Sequence, residues 1–138
     1  MHRIIYLSWA STPLTDSQLE ELLQTARRRN AQLNVSGILL YGNERFMQVL
    51  EGEETTVRAL YEHIKGDARH YEVTAYADRL VPQRAFPEWA MAFQATTPQQ
   101  FEDLAGYLGE PASAAVNAAA LPLHELHLMD ILRSFTLS

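Results

Sequence analysis

The chain has 138 residues, 47% of them hydrophobic and 20% charged, which suits a single domain with a core of useful size. A formal net charge of -6 argues against a protein that wraps nucleic acid on a basic surface, and the lack of cysteine excludes disulfides, thiol catalysis, thiolate metal sites and cysteinyl cofactor adducts. No run approaches ~18 apolar residues, and MHRIIYLSW lacks the apolar region of a secretory signal, so a cytoplasmic location away from any membrane is expected.

Residues 3–9, RIIYLSW, are apolar and rich in β-formers, and predict a first strand. Thr15 with Gln18 makes a capping box, so a helix starts there, with Leu19, Leu22, Leu23, Ala26, Asn30 and Leu33 at helical spacing. Val35–Tyr41 and Arg45–Glu51 predict a hairpin closed by Gly42-Asn43-Glu44. A second helix follows, capped by Thr55 or Thr56, striped by Val57, Leu60, Tyr61 and Ile64, and stopped at Gly66. Tyr71–Leu80 predicts a fourth strand and Glu88–Phe93 a fifth. This β-α-β-β-α-β-β order predicts an α+β, ferredoxin-like fold: a five-stranded sheet with both helices on one face, covering residues 1–95.

Residues 96–138 form a C-terminal helical extension expected on the other face of the sheet. Thr97-Pro98 opens a short helix with Phe101, Leu104, Ala105 and Leu108 on one side. PASAAVNAAALP is alanine-rich and gives no clear element. A last helix from about Leu123 to Phe135 aligns Leu128, Ile131, Leu132 and Phe135. Its apolar character points to contact with another subunit or partner, with an intramolecular lid as the alternative.

Several polar residues sit on rows that otherwise read as core. Strand alternation puts Gln48 on one face with Phe46 and Leu50, and Tyr6 and Ser8 with Ile4. Asn30 lies four residues after Ala26 on the leucine side of the first helix, and Trp89, Met91 and Phe93 share a face of the predicted fifth strand. Each has an ordinary reading by itself: an edge-seeking phenol, a helix-end asparagine, a plain core Trp and Met, an exposed glutamine. If strands one, three and five are neighbours under the first helix, one interior gathers a phenol, two amides, a hydroxyl, an indole and a thioether. That set lacks the paired carboxylates or nucleophile–base pair of hydrolytic chemistry and suits a flat heteroaromatic ligand with carbonyl and imide edges. A hydrolase on the same frame would need an anion-cradling loop, and WASTP lacks the glycines for one. His63 with His70, and His124 with His127, are not spaced with carboxylates as a metal site would be.

The stretches IIYLSWAS, ARRRNAQLNVSGILLYGNERFMQVLEG, IKGDARHYEV and FPEWAMAF resemble the BLUF domain, a flavin-binding blue-light photoreceptor module. The resemblance covers about residues 2–95 and includes Tyr6, Asn30, Gln48, His70, Trp89 and Met91 at the family's spacings. It implies a noncovalent FAD, with FMN possible, as the cofactor. It implies that Tyr6 donates an electron and proton to excited flavin and that Gln48 is the switching amide between Tyr6 and the flavin. It further implies that Asn30 holds the imide edge, and that Met91 and Trp89 compete for the place beside Gln48 and pass on the signal. Ser8 stands near that network, with Arg27, Arg69 and His70 around the flavin tail and ring edge. Too little chain follows residue 95 for a cyclase or phosphodiesterase. The expectation is therefore a short, non-enzymatic, homo-oligomeric photoreceptor that signals to another protein. The alternatives are a flavin- or partner-binding module without photochemistry, and a flavin-dependent redox enzyme, in which Gln48 and Tyr6 would obstruct access to the flavin.

Overall fold

The computed structural model describes residues 1–108 and 123–136. Five strands, β1 (His2–Ala10), β2 (Ser36–Gly42), β3 (Arg45–Gly52), β4 (His70–Leu80) and β5 (Ala92–Ala95), form one sheet in the order β4-β1-β3-β2-β5. All neighbours are antiparallel except β2 and β5, which run parallel. Helices α1 (Asp16–Leu33) and α2 (Glu54–Lys65) carry the two crossovers of the ferredoxin-like frame. Helix α3 (Pro98–Ala105), a 3-10 turn at Gly106–Leu108 and α4 (Leu123–Thr136) follow β5.

Local chemistry explains the boundaries. The Thr15 hydroxyl accepts from Gln18 N–H and the Gln18 side chain accepts from Thr15 N–H, so α1 begins with the expected capping box. Asn34 ends it in the left-handed region at φ 56°. The β2–β3 hairpin turns on Asn43 and Glu44, both at positive φ (53° and 58°), the twist a two-residue hairpin prefers. Helix α2 starts one residue before the expected threonine caps. Glu53 is its N-cap and makes no side-chain capping bond, so Thr55 and Thr56 lie inside the first turn.

The sheet separates two cores. Ile4, Tyr6, Phe46, Leu50 and Leu39 pack with Leu19, Leu23, Leu60 and Ile64 under α1 and α2. Ile5, Leu7, Ile38, Leu40, Met47 and Val49 pack with Phe101, Leu104, Leu128, Met129 and Leu132 under α3 and α4. The C-terminal helices thus lie on the face away from α1 and α2. Strand β1 is covered on both sides, which is why it reads as a nearly unbroken apolar run. The expected apolar row of α4 enters this second core: Leu128 and Leu132 are buried, and Ile131 and Phe135 are half-buried against it. The alanine-rich stretch lies outside the described residues.

The fifth strand departs from expectation. Glu88–Met91 is an irregular turn, and pairing begins only at Ala92, with Ile38 of β2. Strand β5 therefore borders β2 and not β3. Met91 reaches the Gln48 side from the turn, while Trp89 packs against the opposite core beside Phe86, 6.5 Å between ring centroids. The two do not share a strand face, because there is no strand where they lie. Among the described residues, no helix is long and apolar enough to cross a membrane.

Candidate functional site

Strand register builds the centre of the site. Tyr6 of β1 and Gln48 of β3 are direct cross-strand partners, so their side chains project together toward the α1–α2 layer. Tyr6 Oη donates to Gln48 Oε1 at 2.5 Å, and Gln48 Nε2 donates to Met91 Sδ at 3.5 Å. This chain of donors orients the amide: Oε1 accepts from the phenol, and only Nε2 has a proton for the sulfur. A thioether is a weak acceptor for a buried amide donor, so Gln48 keeps capacity for a better one. Both side chains are nearly inaccessible, and burial pushes the Tyr6 phenol well above its usual pKa, so Tyr6 is held as a proton donor.

A cleft between α1 and α2 opens onto this pair. The cavity measures about 60 Å³, with about 500 Å³ of atom-free space when its open mouth is counted. Leu22, Ala26, Leu39, Phe46 and Ile64 supply apolar walls, with Tyr6 and Gln48 among the lining residues and Arg29, Asp67, Arg69 and His70 completing the ring. Apolar walls around a few placed hydrogen-bonding groups are what a flat heteroaromatic ligand requires. Asp67 accepts from Arg69, and that hydrogen bond holds the Asp67 carboxyl down to about 2. Burial lowers the Arg29 pKa.

The expected site residues divide. Tyr6, Gln48, Arg69 and His70 line the cleft. Asn30 is fully buried on α1; Nδ2 donates to Ala90 O at 3.0 Å, and Oδ1 accepts from Arg29 Nε at 3.3 Å. Ser8 lies behind the cleft wall. His70 Nε2 is 2.7 Å from Ile64 O, which can only accept, so Nε2 carries a proton, and Nδ1 pairs with Ser8 Oγ at 2.9 Å. Arg27 Nε donates to Met91 O at 2.8 Å, and Arg27 is not among the cleft-lining residues. Arg29 stands in the lining instead. The sequence held a signal for it, since Leu22, Thr25, Ala26 and Arg29 repeat at helical spacing, a face that excludes Arg27. Among the described residues no His, Asp or Glu cluster could hold a metal ion.

A second polar group spans the opposite core. Glu51 of β3, fully buried, accepts from Arg3 Nε and from the N–H groups of Ala85 and Phe86, each at 2.9 Å. Arg3 Nη1 also donates to Glu125 of α4 at 3.0 Å, and Arg79 Nε lies 3.2 Å from the same carboxylate. Arg133 of α4 donates to Ala85 O. These contacts tie the sheet, the β4–β5 segment and the last helix together.

Comparison with known proteins matches this arrangement. The family model for BLUF, sensors of blue-light using FAD, matches residues 1–92. The photoactivated adenylate cyclase subunit beta of Euglena longa is 39% identical over 89 residues, 64% of this chain and 10% of its own length, so the chain spans about a tenth of that relative. Among solved structures, BlsA in its photo-activated state is similar with a TM-score of 0.74 at 26% identity, over 95% of this chain and 93% of that one. Klebsiella pneumoniae BlrP1 with FMN and cyclic diGMP is similar with a TM-score of 0.59 at 30% identity, over 68% of this chain and 25% of that one. With residues 1–92 matched and the Tyr6–Gln48 pair at the centre of that stretch, the chain belongs to the BLUF family of blue-light sensors.

Proposed function

We propose that this chain binds a flavin noncovalently between α1 and α2 and answers blue light through Tyr6 and Gln48. The 2.5 Å Tyr6–Gln48 hydrogen bond at the floor of the cleft carries the reading. Leu22, Ala26 and Ile64 would sandwich the rings, Asn30 and Gln48 would meet the polar edge, His70 with Ser8 behind it would fix the rim, and Arg29 and Arg69 at the mouth suit a phosphate tail. FAD is the family's flavin, and FMN in BlrP1 makes the shorter form a second possibility.

When bound, a flavin excited by blue light supplies a strong one-electron oxidant. Tyr6 would be the electron donor to that oxidant and would pass its proton along its bond to Gln48 Oε1. Return of the electron from the flavin and of the proton from the amide to Tyr6 would leave no net redox change, with the amide settled in a new arrangement by rotation or tautomerisation. Rotation turns Oε1 toward Met91, and a sulfur has no proton to offer it. Met91 then loses its partner, and the change runs from Met91 into β5 and on to α3. Residues 1–95 act as the light-sensing unit and 96–138 as the output extension, which signals in the cytoplasm to a protein partner or a second copy rather than by catalysis.

The test is a difference spectrum. Purified protein should be yellow and show a reversible red shift under blue light. Tyr6→Phe and Gln48→Ala should each retain flavin and lose the shift. Colourless protein after reconstitution refutes the reading. Yellow protein without a shift leaves a flavin-binding module only.

A further inference from the structure

Three consecutive main-chain carbonyls just before β5 are each held by a donor from a different place. Gly37 N–H of β2 donates to Trp89 O at 3.2 Å, Asn30 Nδ2 to Ala90 O at 3.0 Å, and Arg27 Nε to Met91 O at 2.8 Å. This segment has no sheet partner before Ala92, so these bonds stand in for strand pairing. They set a turn that sends Met91 to Gln48 and Trp89 to the opposite core. Asn30 lies beside the cleft and would be shared with a ligand. Arg27 is exposed on α1 and is absent from the cleft lining, so its bond serves the segment alone.

We propose that Arg27 is a positioning residue for the Gln48 relay: by holding the Met91 carbonyl, it keeps the Met91 thioether against the Gln48 amide and Trp89 on the far side of the sheet. The photochemical part rests on the function proposed above; the part about the segment does not. Its bond is charge-assisted and reaches the residue whose sulfur meets Gln48, so its effect passes through that sulfur.

The experiment has a dark arm and a light arm. In a Trp9→Phe background, Trp89 is the sole tryptophan, and because it is half-buried against the far core beside Phe86, its quenching by acrylamide reports whether that packing holds. Arg27→Ala should raise dark-state quenching of Trp89, and Arg27→Lys, which keeps a cationic donor, should restore most of the protection. In the light arm, Arg27→Ala should keep its flavin and slow the return to the dark spectrum by about threefold or more, as expected for loss of one partly exposed charge-assisted bond. In a Met91→Ala background the same substitution should add nothing, because its route is gone. Unchanged quenching in Arg27→Ala overturns the inference, whether or not the protein is photoactive. So does an equal kinetic effect with and without Met91. Failure of wild-type protein to photocycle refutes the proposed function and leaves the quenching arm to decide the role of Arg27.

Discussion

Glu51→Ala should be among the most destabilising single substitutions in this chain. The native carboxylate is fully buried and takes four hydrogen bonds from three donors: Arg3 Nε, Ala85 N–H to both oxygens, and Phe86 N–H. Truncation leaves the Phe86 N–H buried without a partner, at about 1–3 kcal/mol, and a smaller loss at the half-buried Ala85. It also leaves Arg3 and Arg79 facing Glu125 alone, turning two cations and two anions into a site with one excess positive charge. Breaking a buried pair from one side costs about 3–5 kcal/mol, and the terms overlap, so a loss of about 4 kcal/mol is expected. With an m-value of about 2 kcal/mol/M in urea, the midpoint should fall by about 2 M. Glu51→Gln keeps an acceptor for the main chain and should lose about half as much. Arg3→Met added to Glu51→Ala should be less harmful than the sum of the two, since the excess charge is removed with its source. A Glu51→Ala loss below about 1 kcal/mol in urea unfolding would refute the reasoning.

Other outcomes follow from single observations. Gly37→Ala puts a Cβ 1.8 Å from Val49 O, a backbone atom of the paired strand that cannot step aside, so the protein should fail to accumulate in folded form or lose more than about 4 kcal/mol by calorimetry. Burial raises the Tyr6 phenol above the ~10 of an unfolded tyrosine, so the unfolded chain releases that proton first. Stability should therefore fall as pH climbs past about 10, and Tyr6→Phe should weaken that slope, leaving the smaller share of Tyr61, which burial also raises. Asp67 has the opposite sign. Its carboxyl sits at about 2 when folded, so its contribution is present above about pH 4 and disappears as pH falls toward 2. The pair with Arg69 is largely exposed, so Asp67→Asn should cost under about 1 kcal/mol at pH 7 by urea titration. Thr15→Ala removes the hydroxyl that caps α1, and the same titration should show a loss of about 1 kcal/mol.

Much of this molecule follows from short-range rules. Runs of β-forming residues bounded by turn residues located β1, β2 and β3 within a residue or two, and the Thr15–Gln18 box named the start of α1, because both depend on residues a few positions apart. The face shared by Phe46, Gln48 and Leu50 was likewise readable, and with it the oddity of a buried amide. Arg27 and Arg29 show the limit. Both lie in one arginine run, and only the orientation of α1 against the sheet decides which one lines the cleft and which one grips Met91 O.

The same limit governs Glu88–Met91. Its alternating Trp and Met read as a strand, but a strand exists only where a neighbour's ladder is free, and that ladder begins at Ala92 beside β2. Residue order alone determined the ferredoxin-like frame, the polar residues aimed at one layer, and the family they resemble. Tertiary structure decided the β1–β3 register that sets Tyr6 against Gln48, the opposite placement of Met91 and Trp89, and the buried charges joining α4 to the sheet. Those arrangements link residues 42 to 122 positions apart. Pairing at that range is fixed by the packing of whole elements, which no local pattern encodes.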